Sequence, residues 1–347
     1  MTVNKKFCMS SYLMYRAVTD DDIQFDPRTR TSYADMGYPR YSVVDAGSLH
    51  DALKRTMDEA TKDGKAALAL SGGIDSAILA SMMPEGSTAY TFKCVVPGVK
   101  VTDETPVAAE IAKRFGLEHR IIEISWEDVL KELPILFATK GAPIHSIECQ
   151  IYKAGLACKE DGFSRLVFGE NADIIYGGMD GLLKKDWLFG EYVDRYTQVM
   201  PYKVLKDPEM VLEPYRRHCR DGHVDSYAFT NDVFRKESLS SYVNACRAAG
   251  VEFVGPFSRT RLDVPLNLER IRGGDTKYIV REAFARILPE FEIPPKIPMP
   301  RPTAEWLKSW EGPARPEFIP HCADGMSGDQ RWLIFCLEKF LDYLDTL

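Results

Sequence analysis

The sequence lacks paired cysteines, long apolar runs, internal repeats and an excess of positive charge. Its eight cysteines are scattered, from Cys8 to Cys336, and no two stand at CxxC spacing. That excludes the usual zinc-ribbon and redox-dithiol patterns, and it reads as buried, reduced thiols of a cytoplasmic protein. No apolar run approaches the ~20 residues of a membrane span. Phe7 to Met14 is moderately apolar, but Tyr12, Tyr15 and Arg16 interrupt it, so a signal peptide is not expected. Lysine and arginine number 44 against 51 acids, a formal net charge of −7. Nucleic acid and anionic membrane are therefore not expected as general partners. Two of the six histidines, His119 and His145, sit near predicted strands and helices, but nothing beside them makes a metal or catalytic pattern.

What is present is a chain of 347 residues, 45% hydrophobic and 27% charged, enough for one large or two medium globular units. It is organised around Leu68-Ala69-Leu70-Ser71-Gly72-Gly73-Ile74-Asp75-Ser76. Ala66 to Leu70 is a short continuous apolar run, as in an inner parallel strand. Gly72 and Gly73 suit a tight turn with backbone conformations closed to other residues, and a helix starts near Ile74. Unpaired amides and the positive helix end then face the turn, a corner suited to phosphate. Ser71 and Ser76 add hydroxyl groups, and Asp75 adds a carboxylate able to hold Mg²⁺ against phosphate oxygens. The Gly-Lys-Ser/Thr ending of a Walker loop is missing.

Around this turn the pattern predicts helices over Ser48–Asp63, with Ser48 as N-cap, and over Ile74–Met83. Strands follow at Thr88–Val96, Glu118–Ile124 and Arg165–Phe168, with helices at Thr102–Phe115, Trp126–Phe137 and Ile147–Lys159. The alternation argues for an α/β fold, a parallel sheet with helices on both faces, with ligands at the carboxyl ends of the strands. Residues 1–45 read as an arm or small cap and 46–181 as the nucleotide-binding core. Residues 182–347 read as a mainly helical lobe with no second run of strands. Gln330–Leu347 is an amphipathic helix. Ile293 to Pro302 is proline-rich, either a stiff linker or a loop presenting Lys296.

A second segment, Phe168-Gly169-Glu170-Asn171-Ala172-Asp173-Ile174-Ile175-Tyr176-Gly177-Gly178, follows the last of these strands. Glu170 and Asp173 stand one helical turn apart, so both can face one site. Asp173 could share a magnesium ion with Asp75, and Glu170 could orient a reacting group.

The first turn resembles the SGGxDS loop of the PP-loop ATP pyrophosphatases. Together the two segments resemble the asparagine synthetase C-terminal domain family, whose second motif is close to SGEGADExxGGY. Gly141-Ala142-Pro143, Gly250-Val251-Glu252 with Pro256-Phe257, and Lys277 to Phe284 with Leu288-Pro289 and Lys296 match further family stretches in order. The resemblance spans about residues 46–302. It implies an ATP-dependent, AMP-forming carbon–nitrogen ligase that activates a carboxylate as an acyl-adenylate for attack by ammonia or an amine. It assigns Ser71, Gly72, Gly73, Ser76 and Gly169 to ATP and pyrophosphate, and Asp75 and Asp173 to Mg²⁺. Lys296 would meet the developing phosphate charge, with Lys277 as the fallback. Glu170 would orient or deprotonate the nucleophile. The adenine would lie by Lys93, Cys94 and Val95.

The departures concern the substrate side. The family's glutaminase half uses an N-terminal cysteine; Cys8 is internal and little chain precedes Ser48. Nitrogen is then expected from free ammonia, from a separate ammonia-supplying protein, or from the substrate itself. Ile174 stands for the motif's second acid, Phe168 for its serine, and Val254 for the arginine of GLExRxPF, which leaves aspartate in doubt. The alternatives are a lactam- or peptide-cyclising synthetase, a PP-loop tRNA-modifying enzyme, or a non-catalytic nucleotide-binding protein. Oligomer formation stays open.

Overall fold

The computed structural model describes residues 1–31, 33, 40–291 and 299–347. At its centre are five parallel strands: β1 (Ala66–Ala69), β2 (Thr88–Cys94), β3 (Glu118–Ile124), β4 (Arg165–Val167) and β5 (Glu252–Val254). Their spatial order is β5-β4-β1-β2-β3. Leu68 lies opposite both Ala89 and Val167, so the strand that leads into the glycine turn is inside the sheet. Every residue of β1 is buried. Alternate side chains enter different cores, as the two-residue repeat of a strand requires. Ala67 and Ala69 join a core with Phe92 and Phe168, whereas Ala66, Leu68 and Leu70 join a second core with Ile78 and Val167.

Helices cover both faces, the arrangement a parallel sheet needs. The second core is covered by α2 (Ala46–Thr61), α3 (Ile74–Ala80), α4 (Thr105–Arg114) and α8 (Tyr278–Ile287). The first is covered by α1 (Lys5–Tyr15), α5 (Trp126–Lys140), α6 (Glu148–Glu160), α7 (Arg235–Ala249) and α9 (Gly328–Asp345). The α2 start differs from the sequence reading. Asp45 is the N-cap and Ser48 is the third helical residue; each side chain bonds the other's backbone amide, at 2.8 and 3.0 Å. This reciprocal pair satisfies two helix-end donors where Ser48 as cap would satisfy one.

The larger difference lies past residue 181, where no further strand of the sheet was expected. Glu252–Val254 is the sheet's edge strand, paired with Arg165–Val167 residue for residue. The same region adds a parallel pairing of Thr260–Leu262 with Tyr41–Val43 and a small antiparallel sheet from Trp187–Leu188, His223–Val224 and Cys219–Arg220. The N-terminal stretch, read as an arm or small cap, packs on the first core. Cys8 to Tyr15 are buried, and Tyr12 donates its hydroxyl to Ile144 O at 2.9 Å. All eight cysteines are free thiols, seven of them buried and Cys219 half-buried. Among the described residues no helix is long and apolar enough to cross a membrane. The proline-rich stretch is described only from Met299 onward, and Lys296 lies outside the described residues.

Candidate active site

The turn after β1 is laced by its own hydroxyls. Ser71 Oγ and Ser76 Oγ are 2.8 Å apart, and Ser76 Oγ also lies 3.0 Å from the carbonyls of Ser71 and Gly73. Gly73 precedes α3 with φ −89° and ψ 159°, and no side chain caps the helix. The two glycines thus avoid left-handed backbone, contrary to the sequence reading. Space is tight at Gly72 and ordinary at Gly73. A Cβ on Gly72 would sit 3.2 Å from Val107, and one on Gly73 would sit 3.4 Å from Ser71 Oγ. The Gly72 amide donates to Glu104 Oε2 at 3.2 Å. Glu104 is buried, and burial, helped by Asp103 and opposed by the Gly72 amide, raises its pKa to about 7.

The second segment presses directly on the first. A Cβ on Gly169 would stand 3.0 Å from that of Asp75. Asn171 then takes φ 74°, a left-handed conformation that asparagine tolerates better than most residues, and donates its amide to Ser258 Oγ at 2.9 Å. This turn starts the helical stretch Ala172–Ile175 that carries Asp173. Gly178 closes over it so tightly that a Cβ would fall 2.0 Å from Asp173 Oδ1.

Lys277 joins the two segments. Its Nζ lies 2.6 and 2.5 Å from the Asp75 oxygens and 3.2 Å from Asp173 Oδ1. Burial opposes the charged ammonium, but the two carboxylates outweigh it and the pKa rises. Lys277 also has φ 54° just before α8, a non-glycine residue in the left-handed region. Glu170, at the wall, accepts a hydrogen bond from the hydroxyl of Ser238 on α7, and the Tyr242 hydroxyl of the same helix acts on its carboxylate. Burial raises its pKa, the two hydroxyls work against that rise, and Asp173 adds to it.

These groups border one cavity of about 430 Å³ above the carboxyl ends of β4, β1 and β2. Ser71, Gly73, Asp75 and Ser76 line it from the first turn, Gly169, Glu170 and Asp173 from the second, and Lys277 from α8's approach. Gly72 is held in the same turn. Lys93, Cys94 and Val95 are not among its lining residues; Phe92 of the same strand is. Cys94 Sγ is directed to Pro300 O, and Val95 bonds through its amide to Ile124 O and through its carbonyl to Trp306 Nε1. The sequence reading missed Glu104, Tyr242 and Arg281, which also line the space. Arg281 had a signal, one helical turn beyond Lys277; Tyr242 had none.

Asp75 and Asp173 already converge on one cation, the Lys277 ammonium. Two carboxylates facing a phosphate-sized cradle suit magnesium, which binds one or two carboxylates together with phosphate oxygens. The donor set therefore fits that ion.

A family profile described as asparagine synthase matches residues 47–313. The chain belongs to the asparagine synthase family. Its relatives are ATP-using, amide-forming ligases. No curated protein matches the sequence significantly. Among solved structures, the chain is similar to an NH3-dependent NAD synthetase from Campylobacter jejuni in complex with nitrate. The identity is 17% and the TM-score 0.26, over 39% of this chain and 61% of that one. The chain thus spans less than two thirds of that protein's length. It is also similar to an NMN synthetase from Francisella tularensis, at 12% identity and TM-score 0.29, over 74% of this chain and 100% of that one.

Proposed function

We propose that this protein is an ATP-dependent, AMP-forming ligase that joins a carboxylate to ammonia or an amine. The observation that carries this reading is the convergence of the glycine turn, Asp75, Asp173, Lys277 and Glu170 on one cavity. A carboxylate oxygen attacks the α-phosphorus of ATP, and the bond to pyrophosphate breaks. The nitrogen nucleophile then attacks the acyl carbon, its proton is taken up, and AMP leaves.

Negative charge gathers on the phosphates in the first step, so fixed donors there lower the barrier. The Ser71–Ser76 turn supplies amides and hydroxyls, and Lys277 supplies a cation. Lys296 is proposed to act on the α-phosphate. Magnesium, held by Asp75 and Asp173, would neutralise phosphate charge. Ala69, Leu70 and Phe92 offer the adenine an apolar seat. Glu170, oriented by Ser238 and Tyr242, takes the proton from the attacking nitrogen; its raised pKa makes it a better base than an exposed carboxylate. The nitrogen comes from free ammonia, a separate ammonia-supplying protein or the substrate's own amine.

The test follows ATP with a panel of carboxylic acids, with and without ammonium. AMP and pyrophosphate should form only with an accepted acid, and Asp75→Ala should abolish both. Undiminished turnover in that variant, or acid-independent release of ADP, overturns the reading.

A further inference from the structure

Glu104 stands at the start of α4, beside the glycine turn. The Thr105 amide donates to Asp103 at 2.9 Å, and no side-chain bond from Glu104 caps the helix. The Glu104 carboxylate instead accepts from the Gly72 amide at 3.2 Å and lines the cavity with Ser71, Gly73 and Ser76. It is only 3% exposed. Val107 of the same helix closes on Gly72, 3.2 Å from where a Cβ would stand. An anion of the protein's own is thus held in a turn whose amides and hydroxyls suit phosphate.

A triphosphate brought to this turn meets that buried carboxylate at close range, where like charges repel strongly. Asp103, next in the chain, adds negative charge, and Lys93 lies 3.7 Å from Asp103. The buried Cys94 thiol of β2 also feels Glu104; its pKa is pushed up to about 12, so it is neutral. The Gly72 amide favours the Glu104 carboxylate, but burial outweighs it and the pKa rises to about 7. Among the described residues, the other charged groups lining the cavity are Asp75, Glu170, Asp173, Asp180, Lys277 and Arg281. As a carboxylate Glu104 can only accept hydrogen bonds; as an acid it carries an O–H able to donate to a phosphate oxygen. A proton taken from solvent therefore turns the repulsion into a hydrogen bond.

We infer that ATP enters this turn with the uptake of a proton by Glu104, so that nucleotide affinity falls as the solution becomes more alkaline. This rests on the reading above that the turn holds the phosphates, and adds the proton to it.

The test is titration calorimetry of the whole protein with magnesium and ATP, without a carboxylic acid substrate, in two buffers of different ionisation heat. The difference in heat between the buffers counts protons. Glu104→Gln mimics the neutral acid and separates Glu104 from the other lining acids and from ATP itself. At pH 8 the wild type should take up to about one proton more than the variant. The variant should bind about 10-fold tighter there, since pH 8 stands one unit above 7. At pH 6 both differences should all but vanish. ATP-induced thermal stabilisation reports whether the variant is folded. If it is not, the wild-type affinity decides, and it should weaken about 10-fold from pH 6 to pH 8. Equal proton counts and equal affinities in the two proteins at pH 8, or a wild-type affinity unchanged between pH 6 and pH 8, overturn the inference and leave the ATP site standing. No binding of ATP at either pH overturns the reading of the turn, and this inference with it.

Discussion

At Lys277 and Glu104, both on the cavity wall, burial and charge compete. For Lys277 the competition is settled by Asp75 and Asp173, so the group stays an ammonium. Asp75→Ala removes the nearer partner and leaves Asp173 at 3.2 Å. Urea denaturation should show a loss of up to about 3 kcal/mol, the low end for breaking a buried pair, with the fold retained. Glu104 goes the other way: burial raises its pKa from an ordinary 4.5 to about 7. The folded protein then holds a proton that the unfolded chain has released, so stability falls as pH rises from 4.5 through 7. Glu104→Gln removes the buried charge. It should be more stable than wild type at pH 8, and the difference should vanish below pH 4.5 in matched denaturation curves. The sequence made Lys277 legible through its place in a family motif. Glu104 was hidden because an acid beside a helix start is ordinary, and only the fold turns it toward the Gly72 amide.

The second segment and α7 form the unit that aims the acids. Gly178→Ala places a methyl 2.0 Å from Asp173 Oδ1. Carboxylate-dependent pyrophosphate release should fall by at least ~100-fold, since small misplacements of reacting groups cost that much. Ser238→Ala removes a donor to the Glu170 carboxylate and so raises its pKa further. The acid limb of the kcat/KM profile should move to higher pH. An unmoved limb would show that Glu170 does not titrate in catalysis. Elements with a clear repeat were legible: Glu118–Ile124 was read at its observed bounds, and Ala66–Leu70 to within one residue. β5 was not, because Glu252-Phe253-Val254 is too short for alternation to show. The gathering of Ser238 and Tyr242 at Glu170 depends on how α7 packs, which no local pattern records.

At the scale of the molecule, the expected divisions at 45 and 181 do not separate independent packing units. The first core takes side chains from α1, the sheet, α7 and α9. The cavity takes residues from β1 and from Lys277 and Met299 far along the chain. A fragment ending at 181 should therefore neither melt cooperatively nor bind ATP, as calorimetry can check. In the whole protein, ATP with magnesium at 100 times its Kd should add about 2.7 kcal/mol of stability.

The three-residue edge strand has a consequence for biosynthesis. When Arg165–Val167 leaves the ribosome, the segment that will flank it has not yet been translated. Until Glu252–Val254 emerges, one side of that backbone stays open to neighbouring nascent chains, the setting in which strand-to-strand aggregation begins.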